Sequence, residues 1–275
     1  MAKNAVVKKG KKTDVANVND MFENDAGAGM ENVTTDDMAI PFLVILQSGS
    51  PQVKKSNGAY IKGAEEGMIF NTVTKDTYKS DDGIYVTPCG FVAKQVEWTP
   101  RDDGGGFIAA YDIDDPIKHR ATFDEKLKKN ILPNGNILVE TKYHYVMLTT
   151  DKGNQQSVIS MTSSQLKKSR QWVSLMAGLQ FQKADGSMGN VPTFGGKYHL
   201  TTVPESKDGN DWYNWNVQSE GIINDAHLYG DGKTFHAAIL DGIVKVQESR
   251  QGTSDSEPAG EPGGSSAGED DEIPF

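Results

Sequence analysis

The sequence predicts a mainly β domain, an antiparallel barrel or sandwich with one or two helices, held between disordered N- and C-terminal segments. Three observations lead there. Short β-branched and aromatic runs recur between residues 67 and 218, bounded by Gly, Asp, Asn or Pro as strands are. One stretch, "MTSSQLKKSRQWVSLMAGLQ", carries strong helical spacing. Both ends turn to Asn, Asp, Gly and Lys or to Gly, Ser, Pro and Glu, compositions too polar to bury a core. The organisation expected is a flexible arm over 1–36, a β-rich core over 37–247 and an acidic tail over 248–275.

Taken in order, the arm shows only a short helical pattern around residues 15–22. Apolar character begins with "MAIPFLVILQSGSPQV", so Ile40, Pro41 and Phe42 are read as core-bound. "GMIFNTVT" (67–74), "GIYVTPCGFVAKQVEW" (83–98) and "GFIAAYD" (106–112) are strands. Asn134 and Gly135 form a tight turn into a long alternating strand over 137–149, which "DKGN" returns into "QQSVISM" as a hairpin. The segment from Thr162 to Gln165 reads as a capping box. Behind it Leu166, Trp172, Val173, Met176 and Leu179 recur at helical spacing, with Gly178 near the stop. "TFGGKYHLTTV" (193–203) and "DWYNWNVQ" (211–218) give two more strands, and "KTFHAAILDGIVKVQ" is read as a final helix. No repeat period suggests a solenoid or propeller.

Composition and motif searches exclude several classes. The single cysteine, Cys89, rules out a disulfide framework and a four-cysteine zinc site, and fits a reduced cytoplasmic setting. No apolar run approaches the roughly 20 residues of a membrane helix, so no membrane partner is expected. The basic start "MAKNAVVKKGKKTD" lacks the apolar segment of a secretory signal. "GDGKT" ends like a phosphate-binding loop, but His227 stands where its first glycine belongs. The five histidines have no ligand spacing, and no G-x-S-x-G elbow exists. No cofactor is implied, and the chain is read as a non-enzyme. The acids from Asp102 to Asp115 leave one catalytic alternative, a metal-dependent nuclease, although Asp and Gly at this density more often build a solvated loop. A phage structural or decoration protein is the other alternative.

Charge is segregated. Of the net -10, seven acids lie in 251–275, and without them the net is -3; residues 117–170 hold ten Lys/Arg against four acids. An acidic total is therefore no argument against a polyanion partner. Aromatic and basic residues interleave on the presumed strands and helix, as a single strand of nucleic acid requires: flat rings for bases, cations for phosphates. The candidates are Trp98, Arg101, Lys142, Tyr143, Tyr145, Lys167, Lys168, Arg170, Trp172, Lys197, Tyr198 and Trp212. Trp98, Trp172 and Trp212 are expected outside, Tyr213 and Trp215 inside.

The sequence closes on Glu269, Asp270, Asp271, Glu272, Ile273, Pro274 and Phe275. This resembles the acidic tip of bacterial single-stranded DNA-binding proteins, which usually end in three Asp and Ile-Pro-Phe; Glu272 is the departure. The resemblance implies an OB-fold-like core, a Gly/Ser/Pro-rich linker, and a tip that docks on replication and recombination proteins. In that family the terminal ring enters an apolar pocket and the acids meet a basic rim, roles that would fall here to Phe275 and to Asp270, Asp271 and Glu272, with Ile273 and Pro274 between. "IPFLVILQSGSPQV", "QLKKSRQWVSLM", "GKYHLTTV" and "DWYNWNV" make the stretch over 40–220 look like bacteriophage replication proteins that bind single-stranded DNA. The expectation is a sequence-nonspecific single-stranded DNA-binding protein of replication, recombination and repair, with single-stranded DNA and replication proteins as partners in the host bacterial cytoplasm.

Overall fold

The computed structural model describes residues 39–244 apart from Asp208, and before them only Met21, Phe22, Asp25, Ala28, Gly29, Glu31 and Asn32. The chain divides into two compact units, 1–38 and 39–275. In the first, the Asp25 and Ala28 amides donate to the Met21 and Asp25 carbonyls, both at 3.0 Å, as successive turns. The expected disorder of both ends, most of the helix around 15–22 and the whole tail lie outside the described residues.

The second unit is mainly β and antiparallel, as the strand pattern predicts. Strands β1 (Leu43–Ile45), β2 (Ile69–Asn71) and β3 (Thr77–Tyr78) make a small sheet. An eight-stranded sheet follows: β4 (Ile84–Thr99), β5 (Gly106–Asp112), β6 (Thr122–Asp124), β7 (Lys129–Ile131), β8 (Ile137–Thr150), β9 (Gly153–Thr162), β12 (Gly196–Lys207) and β13 (Asn210–Ile222). Helix α1 (Gln165–Gly178), the hairpin β10 (Gln180–Gln182) and β11 (Met188–Asn190), and helix α2 (Ala226–Leu240) complete it.

The long strands β4 and β8 form the spine, paired from Tyr85 opposite Thr149 to Trp98 opposite Ile137. At one end β12 and β13 extend the sheet from β4, and β9 lies beyond β8. At the other end β5 joins β4, while β7 and β6 follow β8. A register shift between Pro88 and Gly90 bends the spine; Pro88 lacks an amide for the ladder, and Ile239 lies 3.0 Å from where a Gly90 side chain would start.

Among the described residues strand pairing does not run round as a closed barrel. The gap between β9 and β13 is bridged by the β1 segment instead. The Val158 amide donates to the Pro41 carbonyl at 2.9 Å, and Phe42 pairs with Val158 in parallel. On the far side the Gln47 side chain acts as a peptide group: its Nε2 donates to the Tyr213 carbonyl and its Oε1 accepts from the Tyr213 amide, each at 2.9 Å. Ile40, Pro41 and Phe42 are thus core-bound, as the sequence suggests.

Two cores flank β8, one on each face, and a third small one gathers Val44, Leu46, Ala64 and Phe70 at the β1–β3 sheet. Leu43, Ile69, Val86, Val146, Leu148, Ile159, Leu200 and Trp215 fill the interior beneath α1. Cys89, Tyr143, Tyr145, Met147 and Val158 pack on the other face, under Leu228 and Phe235 of α2. A strand covered on both faces leaves no side free for solvent.

The helices depart from expectation in detail. No capping box forms: Ser163 sits in the left-handed region at φ 49° and Ser164, the N-cap, makes no capping bond. Its hydroxyl instead accepts from Asn214 Nδ2 at 3.5 Å. Helix α1 buries Ser169 and Trp172, with Leu175 and Met176 against the core, so its apolar face is rotated away from Val173, which is 37% exposed. Helix α2 starts well before "KTFH", because the Asp225 carboxylate accepts from the His227 and Leu228 amides. "GDGKT" therefore lies inside a helix, where no phosphate-cradling loop exists.

Candidate nucleic-acid interface

Burial corrects the aromatic candidates first. Trp98, Tyr143, Tyr145, Trp172 and Tyr198 are all core residues, none more than 6% exposed. Trp98 meets Phe107 edge-on at 5.9 Å. Tyr145 meets Phe235 of α2, and Trp172 stacks on His144 and meets Tyr198 edge-on. None of these rings offers a face to a base. Trp215 and Tyr213 do lie in the core as expected, Tyr213 partly buried. Trp212 is half-buried, opposite Glu205 on β12.

The basic candidates divide into two groups. Lys168 reaches Glu205 at 2.9 Å and Lys142 reaches Glu140 at 3.5 Å, so both charges are balanced locally. Burial tends to raise the Glu205 pKa, but the Asn214 amide at 2.7 Å and the Lys168 ammonium outweigh it and hold the carboxyl below its usual range. Among the described residues no carboxylate pairs with Lys167, Arg170 or Lys197. Lys167 and Arg170 are exposed along α1. Arg101 opens a short 3-10 turn, and its side chain is outside the described residues. The tip residues Asp270, Asp271, Glu272, Ile273, Pro274 and Phe275 are outside them too.

Where one candidate fails, its neighbours form a site the sequence reading missed. Tyr198 points inward, so Lys197 and His199 on β12 point outward. His199 is the cross-strand partner of Tyr85 on β4, and the two rings stack with centroids 4.5 Å apart and planes 16° from parallel. Lys197 Nζ lies over the Tyr85 ring at 4.5 Å. The imidazole is held from behind: His199 Nε2 is 2.9 Å from the Asp82 carbonyl, which only accepts, so that nitrogen carries the proton and donates. Gly83 makes this possible. At φ +60° it turns the chain into β4, and a side chain there would stand 2.3 Å from the Leu200 carbonyl and 2.8 Å from His199 Nε2. Tyr85 stays 40% exposed, with Thr149, Thr201 and Gln218 around it on the same outer face. A second exposed ring, Phe91, stands edge-on to His144 at 5.1 Å. The signal for Tyr85 was its alternation with Ile84 and Val86, both of which are buried.

The acidic stretch behaves as loop and strand surface. Asp112 pairs with Lys94, which lowers its pKa, and the Asp115 carboxylate accepts from the Ile117 amide at 2.8 Å. Among the described residues no three His, Cys, Asp or Glu side chains are placed to hold a metal ion. Among the described residues the buried acid nearby is Glu97. Burial pushes its pKa up, but bonds from Asn136, Tyr111 and Asn134 and the Arg120 charge bring it below the usual range.

A family model described as Pam3 phage gp34-like protein matches residues 8–245. The chain belongs to this family. No curated protein and no solved structure matches it. The gp34-like match takes in every strand, both helices and the Tyr85, Lys197 and His199 face, and stops before the acidic tip. Among the described residues no helix is long and apolar enough to cross a membrane.

Proposed function

We propose that the protein is a non-enzymatic, sequence-nonspecific binder of single-stranded DNA that acts on replication and recombination intermediates in the host bacterial cytoplasm. The observation that carries this reading is the outer-face platform: a 40% exposed tyrosine ring, backed by a hydrogen-bonded histidine, with a lysine over it that no carboxylate among the described residues pairs with. A stacked ring pair offers a face to any base, and a cation beside it suits the adjoining phosphate. Lys167 and Arg170 on α1 supply further charge that no carboxylate among the described residues pairs with. Membership in a phage family supports the setting. The segment Asp270, Asp271, Glu272, Ile273, Pro274 and Phe275 is the proposed contact for replication proteins, on its resemblance to the bacterial tips.

The test is Tyr85→Ala, measured by anisotropy of labelled oligo(dT). Tyr85 is a surface residue, so the melting temperature should hold while affinity falls about 5- to 150-fold, the range of a lost base stack. Unchanged affinity would remove the platform from the binding surface.

A further inference from the structure

The hairpin of β10 and β11 stands apart from all three cores. Among the described residues its strands pair only with each other, Gln180 opposite Asn190, Phe181 opposite Gly189 and Gln182 opposite Met188. It is tied down at its base, where the Val191 amide donates to the Leu179 carbonyl at 3.0 Å. The turn is built with care. The Lys183 amide donates to the Ser187 carbonyl at 2.8 Å, Gly186 takes φ +83°, and the Asp185 carboxylate accepts from the Ser187 amide and hydroxyl at 2.9 and 2.7 Å. A two-stranded ribbon with no sheet behind it has little to gain from large apolar side chains. Yet Phe181 stands here 42% exposed.

Gly189 explains how that ring is held. A side chain starting there would fall 3.0 and 3.3 Å from Phe181 Cε1 and Cζ, and 2.7 Å from Lys183 Cε. The ring and the lysine stem therefore lie together over bare glycine backbone, on one face of the ribbon. One side of the ring is fixed against the strand and the other is open. Lys183 and Ser187 share the ring's face toward the turn, and Leu179 and Val191 share it at the base. A lysine stem beside an open ring face suits an unpaired base next to a phosphate. The ribbon leads through residues 191–195 into β12, which carries Lys197 and His199.

We propose that the β10–β11 hairpin is a second stacking arm for the same DNA strand, with Phe181 taking an unpaired base and Lys183 the adjoining phosphate. This rests on the reading that the protein binds single strands. The experiment compares wild type, Phe181→Ala, Gly189→Val and Lys183→Ala, each titrated with oligo(dT) and with an abasic oligonucleotide of the same length. Both ring variants should weaken oligo(dT) binding about tenfold and leave abasic binding unchanged, because Gly189→Val displaces the ring that Phe181→Ala removes. Lys183→Ala should weaken both ligands and reduce the salt slope by about 0.7. If wild type binds oligo(dT) and the two ring variants match it, the arm is overturned and the single-strand reading stands. If wild type binds no oligo(dT), both fall together.

Discussion

Mild acid should destabilise this protein before its carboxylates titrate, and His144 is the reason. Its ring is fully buried, stacked on Trp172 at 4.5 Å, edge-on to Phe91, with Nε2 2.8 Å from Ser169 Oγ. Among the described residues Nδ1 has no hydrogen-bond partner, so an added proton would sit there without an acceptor. Burial, and then the Lys142 charge, push the pKa down from 6.5 to about 3. The unfolded chain takes up a proton near pH 6.5 while the folded one refuses it until about 3. Between those values stability falls as pH falls, by about 1.4 kcal/mol per unit once well below the upper one. At pH 5 the loss relative to neutral pH is about 2 kcal/mol from this residue alone. Glu97 and Glu205, whose folded values are lowered, withdraw their contributions only further down, below the ordinary carboxyl range. Urea unfolding at pH 7.5 and 5.0, followed by the fluorescence of buried Trp172 and Trp215, reads this directly. His144→Gln removes the titrating ring, so its pH-dependent loss should be about 2 kcal/mol smaller than that of wild type, whatever the variant costs at neutral pH. Equal losses in the two proteins would refute the buried, neutral histidine.

The remaining predictions concern the core and the tip. Trp172→Ala should cost about 3–5 kcal/mol of stability, measured by urea unfolding, while the folded fraction binds oligo(dT) as wild type does. A loss of binding with stability intact would return Trp172 to the surface. Deleting residues 269–275 should leave oligonucleotide affinity unchanged or higher, most visibly at low salt, since four acids leave with them. Phe275→Ala should keep DNA binding and abolish capture of replication proteins from infected-cell lysate, because one apolar anchor carries most of a small interface; identical capture would reduce the segment to a solubility device.

Much of the fold is legible in the sequence, because its strands obey local rules. Gly83 and Asp112 bracket runs that became β4 and β5, Asn134 and Gly135 turn into β8, and α1 carries its helical spacing. The faces are not legible in the same way. In "KYHYV" the alternation of Tyr143 and Tyr145 with Lys142 and His144 is real, yet α2 covers one face and α1 with the interior covers the other. Alternation reports which residues share a side; only tertiary cover decides whether that side is wet. The same reason hid Tyr85 and His199, each one position from a buried neighbour. Very short strands such as β3, β10 and β11 carry too few side chains for any period to show. The closure by Gln47 depends on a contact with Tyr213 that no local pattern encodes.

The central claim is most directly tested by titrating the full chain into labelled oligo(dT) and into duplex of equal length, at two salt concentrations. Single-strand affinity should exceed duplex affinity, because stacking needs unpaired bases, and should fall with salt at a slope of about -0.7 per phosphate neutralised. Equal binding to both ligands, or binding indifferent to salt, would contradict it.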